Sequence, residues 1–101
     1  MILYNETVKI ENAIHDEWLK WMRQVHIPKV MNTGQFQSHR VCRLMEQDQT
    51  DGITYAIQYF AEGMTEVFTY QSDFEKAHQK EHKEKFEGKF VAFRTLLKVL
   101  D

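Results

Sequence analysis

The chain has little punctuation. Its 101 residues include one proline, one cysteine and four glycines, which leaves no room for a proline-rich linker, a disulfide framework or a flexible glycine tract. Cys42 has no second thiol to bridge, and the sequence opens straight into a strand pattern rather than a charged and then apolar leader. Both features point to a reducing, cytoplasmic address. No apolar run approaches the roughly 20 residues that a membrane span needs. Positive charge is short as well: 13 Lys and Arg face 15 Asp and Glu, a formal charge of −2. Such a chain has no cationic field for phosphate backbones or anionic lipid, so neither nucleic acid nor membrane is an expected partner. With no repeat and no low-complexity tract to divide it, residues 1–101 read as one domain.

What is present is a run of alternating patterns. From Ile2 to Ile10 the positions Ile2, Tyr4, Val8 and Ile10 are apolar while Asn5, Thr7 and Lys9 are polar, a period of two that marks a strand. Asn12 can cap a helix, and Ile14, Trp18, Trp21, Met22 and Val25 then recur at steps of three and four, as one face of a helix requires. Pro28 predicts a break near His26 and Ile27, a short extra turn, and a stop at Gly34. Phe36 to Met45 reads as strand two, Gln49 to Gly52 as a tight turn and Ile53 to Phe60 as strand three, an antiparallel hairpin. Thr65 to Phe86 is a second helix carrying Val67, Tyr70, Phe74, Ala77 and His78 on one face, closed by Gly88; Ser72 with Glu75 offers a later start as a capping box. Lys89 to Leu100 is strand four. The order is β-α-β-β-α-β, the ferredoxin-like α+β fold: a four-stranded antiparallel sheet with two helices on one face.

Strand four bears on assembly. Phe90, Val91, Ala92 and Phe93 are apolar on both faces, and Leu96, Leu97, Val99 and Leu100 continue the run. Helices cover only one face of a two-layer domain, so a strand apolar on both sides calls for a second cover. A second copy packed sheet against sheet supplies it.

Five histidines are the first candidates for chemistry, because imidazole titrates near neutral pH and ligates metals. His78 falls in the apolar stripe of the second helix, and His82 follows one turn later. Two imidazoles four apart can share a metal, yet zinc needs three or four ligands and Cys42 has no CxxC or HExxH around it. The plainer expectation is a core histidine at 78 and a surface histidine at 82 among Lys80, Lys83 and Lys85, with no metal and no cofactor. On helix one, His15, Leu19, Met22 and His26 form a shoulder beside Trp18, with Arg23 close by. Trp18, Trp21, Tyr55, Tyr59 and Phe93 are suitable walls for a small apolar ligand between helices and sheet, and equally for an ordinary core. Arg94, set among Phe93, Leu96 and Leu97, has to reach an edge or find a carboxylate, either from the protein or from an anionic ligand.

Several segments together resemble a family of small bacterial proteins catalogued as a domain of unknown function: Met1-Ile2-Leu3-Tyr4-Asn5, Glu17-Trp18-Leu19-Lys20-Trp21-Met22, His26-Ile27-Pro28, Thr54 to Phe60 and Phe90 to Leu97. The resemblance spans nearly the whole chain, and the last segment is its most specific part. It implies a dimeric α+β barrel layout, shared with cofactor-free monooxygenases, haem-degrading enzymes, isomerases, mutarotases and ligand-sensing domains. Two functions remain open. One is a non-catalytic homodimeric module that binds a small apolar ligand or a partner. The other is a small cofactor-independent oxygenase or isomerase acting on an apolar or aromatic compound, with His26, His78 or Tyr59 as acid or base and Trp18, Met22, Tyr55, Phe93 and Arg94 around the ligand. The RNA-recognition module shares the same strand order, but here the inner stacking position holds Ile57 and the residues ahead of it are Asp51-Gly52.

Overall fold

The computed structural model describes residues 1–101. Its strands are β1 (Ile2–Ile10), β2 (Ser38–Arg43), β3 (Ile53–Ala61) and β4 (Phe90–Lys98), and its helices are α1 (His15–Trp21), α2 (Ile27–Asn32), α3 (Met64–Tyr70) and α4 (Lys76–Lys85). A π turn, Met22–His26, carries α1 into α2, and another, Gln71–Glu75, carries α3 into α4, so the helices form two continuous arms. The strands make one antiparallel sheet in the order β2-β3-β1-β4. Both arms pack on one of its faces.

The period of two decides which residues meet them. Tyr4, Val8 and Ile10 of β1 stand in register with Tyr59, Tyr55 and Ile53 of β3, and all six are buried. Trp18, Met22, Val30, Val67 and Tyr70 close the core from the helices. The opposite sheet face has no cover. There Val91, Phe93 and Leu97 of the edge strand β4 lie beside Lys9, Thr7 and Leu3 and remain 69%, 64% and 47% exposed.

Several elements differ from expectation. Strand two is shorter than Phe36 to Met45, because Phe36 turns into the core ahead of it and the chain leaves the sheet after Arg43. Strand three gains Ala61, and strand four lacks Lys89, Val99 and Leu100. Pro28 does not break the first arm. The wide turn that ends at His26, with Ile27 N–H bonded to Met22 O, takes up the proline ring, which in a regular helix would press on the carbonyl four residues back. The second arm starts at Met64, and Ser72 lies inside its π turn rather than at a cap.

That second π turn also reverses the histidines. His82 follows Tyr70 by twelve positions, which at about 100° per residue leaves it about 120° round the axis. The extra residue in the π turn removes about 100° of this offset. His82 therefore swings into the core and is 3% exposed, while His78 is only half-buried and Ala77 faces out.

The link from β2 to β3 is longer than a tight turn. It runs irregularly from Leu44 to Gly52, with Asp48 Oδ1 accepting from the Thr50 N–H at 2.9 Å. Gly52 ends it at φ 155°, and a Cβ there would stand 2.7 Å from the Ile10 carbonyl oxygen. Gly52→Ala is expected to lower stability by about 1–3 kcal/mol in urea unfolding. An unchanged midpoint would mean that the loop shifts freely to admit the methyl group.

Candidate functional site

The helix-facing row of β1 reads Ile2, Tyr4, Glu6, Val8, Ile10, and Glu6 is its one charged member. It is 9% exposed. Its ion-pair partner is His26, whose Nε2 stands 3.5 Å from Oε1, at the outer limit of hydrogen bonding, and has no other partner. Burial opposes the charge on Glu6. The His26 imidazole outweighs it, with His82 and His78 adding to the effect, and the carboxyl is held below its usual range. The three imidazoles cluster behind Glu6, with ring centroids 5.7 Å apart for His26 and His82 and 6.0 Å for His26 and His78.

Each π turn delivers one polar side chain to this region from its last residue. The first delivers His26. The second delivers Glu75, which accepts from the Tyr4 hydroxyl at 2.7 Å and pairs with Arg94. The Arg94 guanidinium lies 5.9 Å from the centre of the Tyr4 ring. Wide turns of this kind recur at functional sites because they re-aim a side chain without ending the helix.

His82 is fixed by its neighbours. The indole Trp18 Nε1–H donates to His82 Nε2 at 2.9 Å, which places the imidazole proton on Nδ1. The ring stacks on Phe90 at 4.0 Å and on Trp21 at 5.6 Å. Burial pushes its pKa down to about 4, so it is neutral at physiological pH.

Glu6 and His82 are the buried polar groups of a cleft of about 340 Å³ between α4 and the β1–β4 edge. Phe90 and Ala92 form its apolar wall, Phe93 borders it at the strand edge, and Lys83 and Arg94 supply positive charge. The cleft thus combines a carboxylate, a neutral N–H donor, an aromatic surface and two cations.

Of the residues singled out from sequence, Phe93 and Arg94 border this cleft. Arg94 has a carboxylate within the chain, Glu75. His26 lies behind Glu6. His78 is half-buried and shares its Nδ1 with the Tyr70 hydroxyl at 2.8 Å; burial and the nearby His26 charge lower its pKa. Trp18 and Met22 are fully enclosed, and Tyr55 packs its ring 5.2 Å from Trp18 while its hydroxyl meets His15 Nδ1 at 3.2 Å. Tyr59 sits with Tyr4, Phe36 and Tyr70, and its hydroxyl is buried without a partner. Burial drives its pKa far up, which unfits it for proton transfer near neutral pH.

The structure has no cavity between Trp18 and Phe93, because the two face opposite sides of the sheet: Phe93 stands beside Thr7, while Trp18 is sealed under the helices. Glu6 was absent from the sequence candidates. The signal was there, an acidic residue at an even, inward-facing position of an otherwise apolar row, but nothing in one strand shows which helix turn comes to meet it.

A four-stranded antiparallel sheet with helices on one face in this order defines a ferredoxin-like α+β protein. The chain belongs to the family described as Domain of unknown function (DUF4286), whose model matches residues 1–100. Among solved structures, it is similar to a dimeric ferredoxin-like protein from an uncultured marine organism, with 10% identity, TM-score 0.70 and 99% of this chain against 97% of that one. SnoaB from Streptomyces nogalater, a cofactor-independent oxygenase, has 10% identity and TM-score 0.68 over 99% of this chain and 93% of its own. An EthD family protein from Bacillus halodurans has 14% identity and TM-score 0.68 over 99% and 100%. No curated protein matches the chain in sequence. No helix is long and apolar enough to cross a membrane.

Proposed function

We propose that the protein is a one-domain, non-catalytic homodimeric module that holds a small, partly apolar ligand in the cleft beside β4. A second copy seats on the open sheet face. The carrying observation is β4 itself: Val91, Phe93 and Leu97 form an uncovered apolar strip, and Phe93 also borders the cleft. A strip of this kind on an edge strand is an aggregation hazard unless a specific partner covers it. The similar protein from the marine organism is itself described as dimeric. The unpaired Cys42 suits a reducing, cytoplasmic setting.

Sedimentation equilibrium tests the assembly. The native chain is expected to run at twice its monomer mass, and Phe93→Glu is expected to run as a monomer with its circular dichroism unchanged, since Phe93 is outside the core. A native monomer at tens of micromolar would defeat the reading.

One observation favours a second reading, a cofactor-independent oxygenase or isomerase acting on an apolar or aromatic compound. Glu6 is ionised, backed by an imidazole and adjacent to the cleft, where a general base has to be. SnoaB, of similar fold, is an oxygenase of that type. The two readings part on turnover. An aromatic compound recovered unchanged after incubation supports the module, and its conversion supports the enzyme.

A further inference from the structure

Building on the ligand-binding reading, we infer that the cleft recognises a small aromatic acid bearing a free hydroxyl, which donates to Glu6 and accepts from His82 Nδ1–H. Glu6 is nine-tenths buried, and its only ion-pair partner is at the edge of hydrogen-bond range. The sealed polar atoms that lack a partner are those of Asn5, His26, Tyr59 and Glu66; the Glu6 oxygens are not among them, because Glu6 opens on the cleft. A buried carboxylate left in this state is costly unless a donor completes it.

The completing group has to donate a hydrogen bond, which a second carboxylate does not do. An ammonium donates as well but has no lone pair with which to accept from a neighbouring N–H. His82 narrows the choice, since Trp18 holds its Nε2 and leaves Nδ1–H as a neutral donor that no protein group accepts. A single hydroxyl satisfies both, because it donates one hydrogen bond and accepts others. The apolar surface beside them consists of Phe90, stacked on His82, with Ala92, and so suits an aromatic ring. At the mouth, Arg94 is already paired with Glu75, while Lys83 has no carboxylate partner and is free to meet the acid group. A volume of about 340 Å³ lies within the range of small-molecule sites.

The tryptophans make the test direct, since Trp18 bonds to His82 and Trp21 stacks on it. Titration with 4-hydroxybenzoate is expected to change their fluorescence saturably, with benzoate at least tenfold weaker. Glu6→Gln is expected to erase most of that difference and leave benzoate unaffected, and Lys83→Ala to weaken both acids to the same degree. Circular dichroism and a thermal melt establish that each variant is folded. If Glu6→Gln does not fold, the comparison of the two acids on the native chain and the exposed Lys83→Ala still decide. Equal affinity for the two acids, or no loss in Glu6→Gln, overturns the hydroxyl subsite and leaves the ligand-binding reading standing. Binding of neither acid overturns this inference as well. The ligand-binding reading fails with it only if a neutral aromatic, 2-naphthol, also leaves the tryptophans unchanged.

Discussion

Between pH 7 and pH 4 the protein is expected to lose about 3 kcal/mol of stability through His82 alone. In the unfolded chain an imidazole takes up its proton near pH 6.5, whereas in the folded protein His82 does so only at about 4. Within that window the unfolded state binds more protons. The contribution is therefore complete above the unfolded value and is lost as pH falls through the window. The structural cause is burial first, and protonation would also set a new N–H against the indole N–H of Trp18. His78 is shifted in the same direction and adds to the slope. Glu6 acts at lower pH: its depressed pKa gives stability that is present above the ordinary carboxyl value and fades as pH drops through the folded one. Urea unfolding at intervals of half a pH unit measures this dependence. His82→Gln, which can still accept from Trp18 but does not titrate, is expected to flatten the curve between pH 6.5 and pH 4.5. Identical slopes in the two proteins would mean that His82 is not held neutral.

Trp18→Ala is expected to cost about 3–5 kcal/mol, a large part of the total stability of a domain this size. Trp18 has no solvent exposure and fills the space between Tyr55 and His82. Its removal leaves a cavity, and it also leaves His82 Nε2 without its donor, a further loss of about 1–3 kcal/mol if water does not replace it. Trp18→Phe separates the two effects. It keeps most of the ring and removes only the N–H, so a loss of about 1–2 kcal/mol is expected, together with an upward shift of the His82 titration. Thermal and urea unfolding give the stabilities, and the histidine proton resonances give the titration. A Trp18→Phe protein as unstable as Trp18→Ala would assign the whole effect to the lost hydrogen bond, and one as stable as the native chain would assign it to packing.

The candidate site was partly legible. Arg94 declares itself in sequence, because an arginine among Phe93, Leu96 and Leu97 has to reach an edge or find a carboxylate; that it finds Glu75 depends on a π turn nineteen residues earlier. His26 drew attention as a histidine on the Trp18 shoulder with His15, Leu19 and Met22, but its value comes from facing Glu6 across the layer gap. His82 looked like a surface residue because it stands among Lys80, Lys83 and Lys85, and the wider turn earlier in its helix swings it into the core. Phe93 and Trp18 looked like two walls of one cavity, since both are large and apolar, and strand parity puts them on opposite sides of the sheet.

The β-α-β-β-α-β order, the inward rows of β1 and β3 and the apolar excess of β4 are all written in the amino-acid sequence, because the periods of two and 3.6 are local properties of backbone geometry. The sequence also carried the family, through segments spread over nearly the whole chain. Only the tertiary structure decided that Glu6, His26 and His82 meet beside one cleft and that Trp18 sets the tautomer of His82. Those relations join residues up to 76 positions apart in the chain, from Glu6 on β1 to His82 on α4. They depend on the phase of two helices against a sheet, and one additional residue in a turn rotates that phase by about 100°.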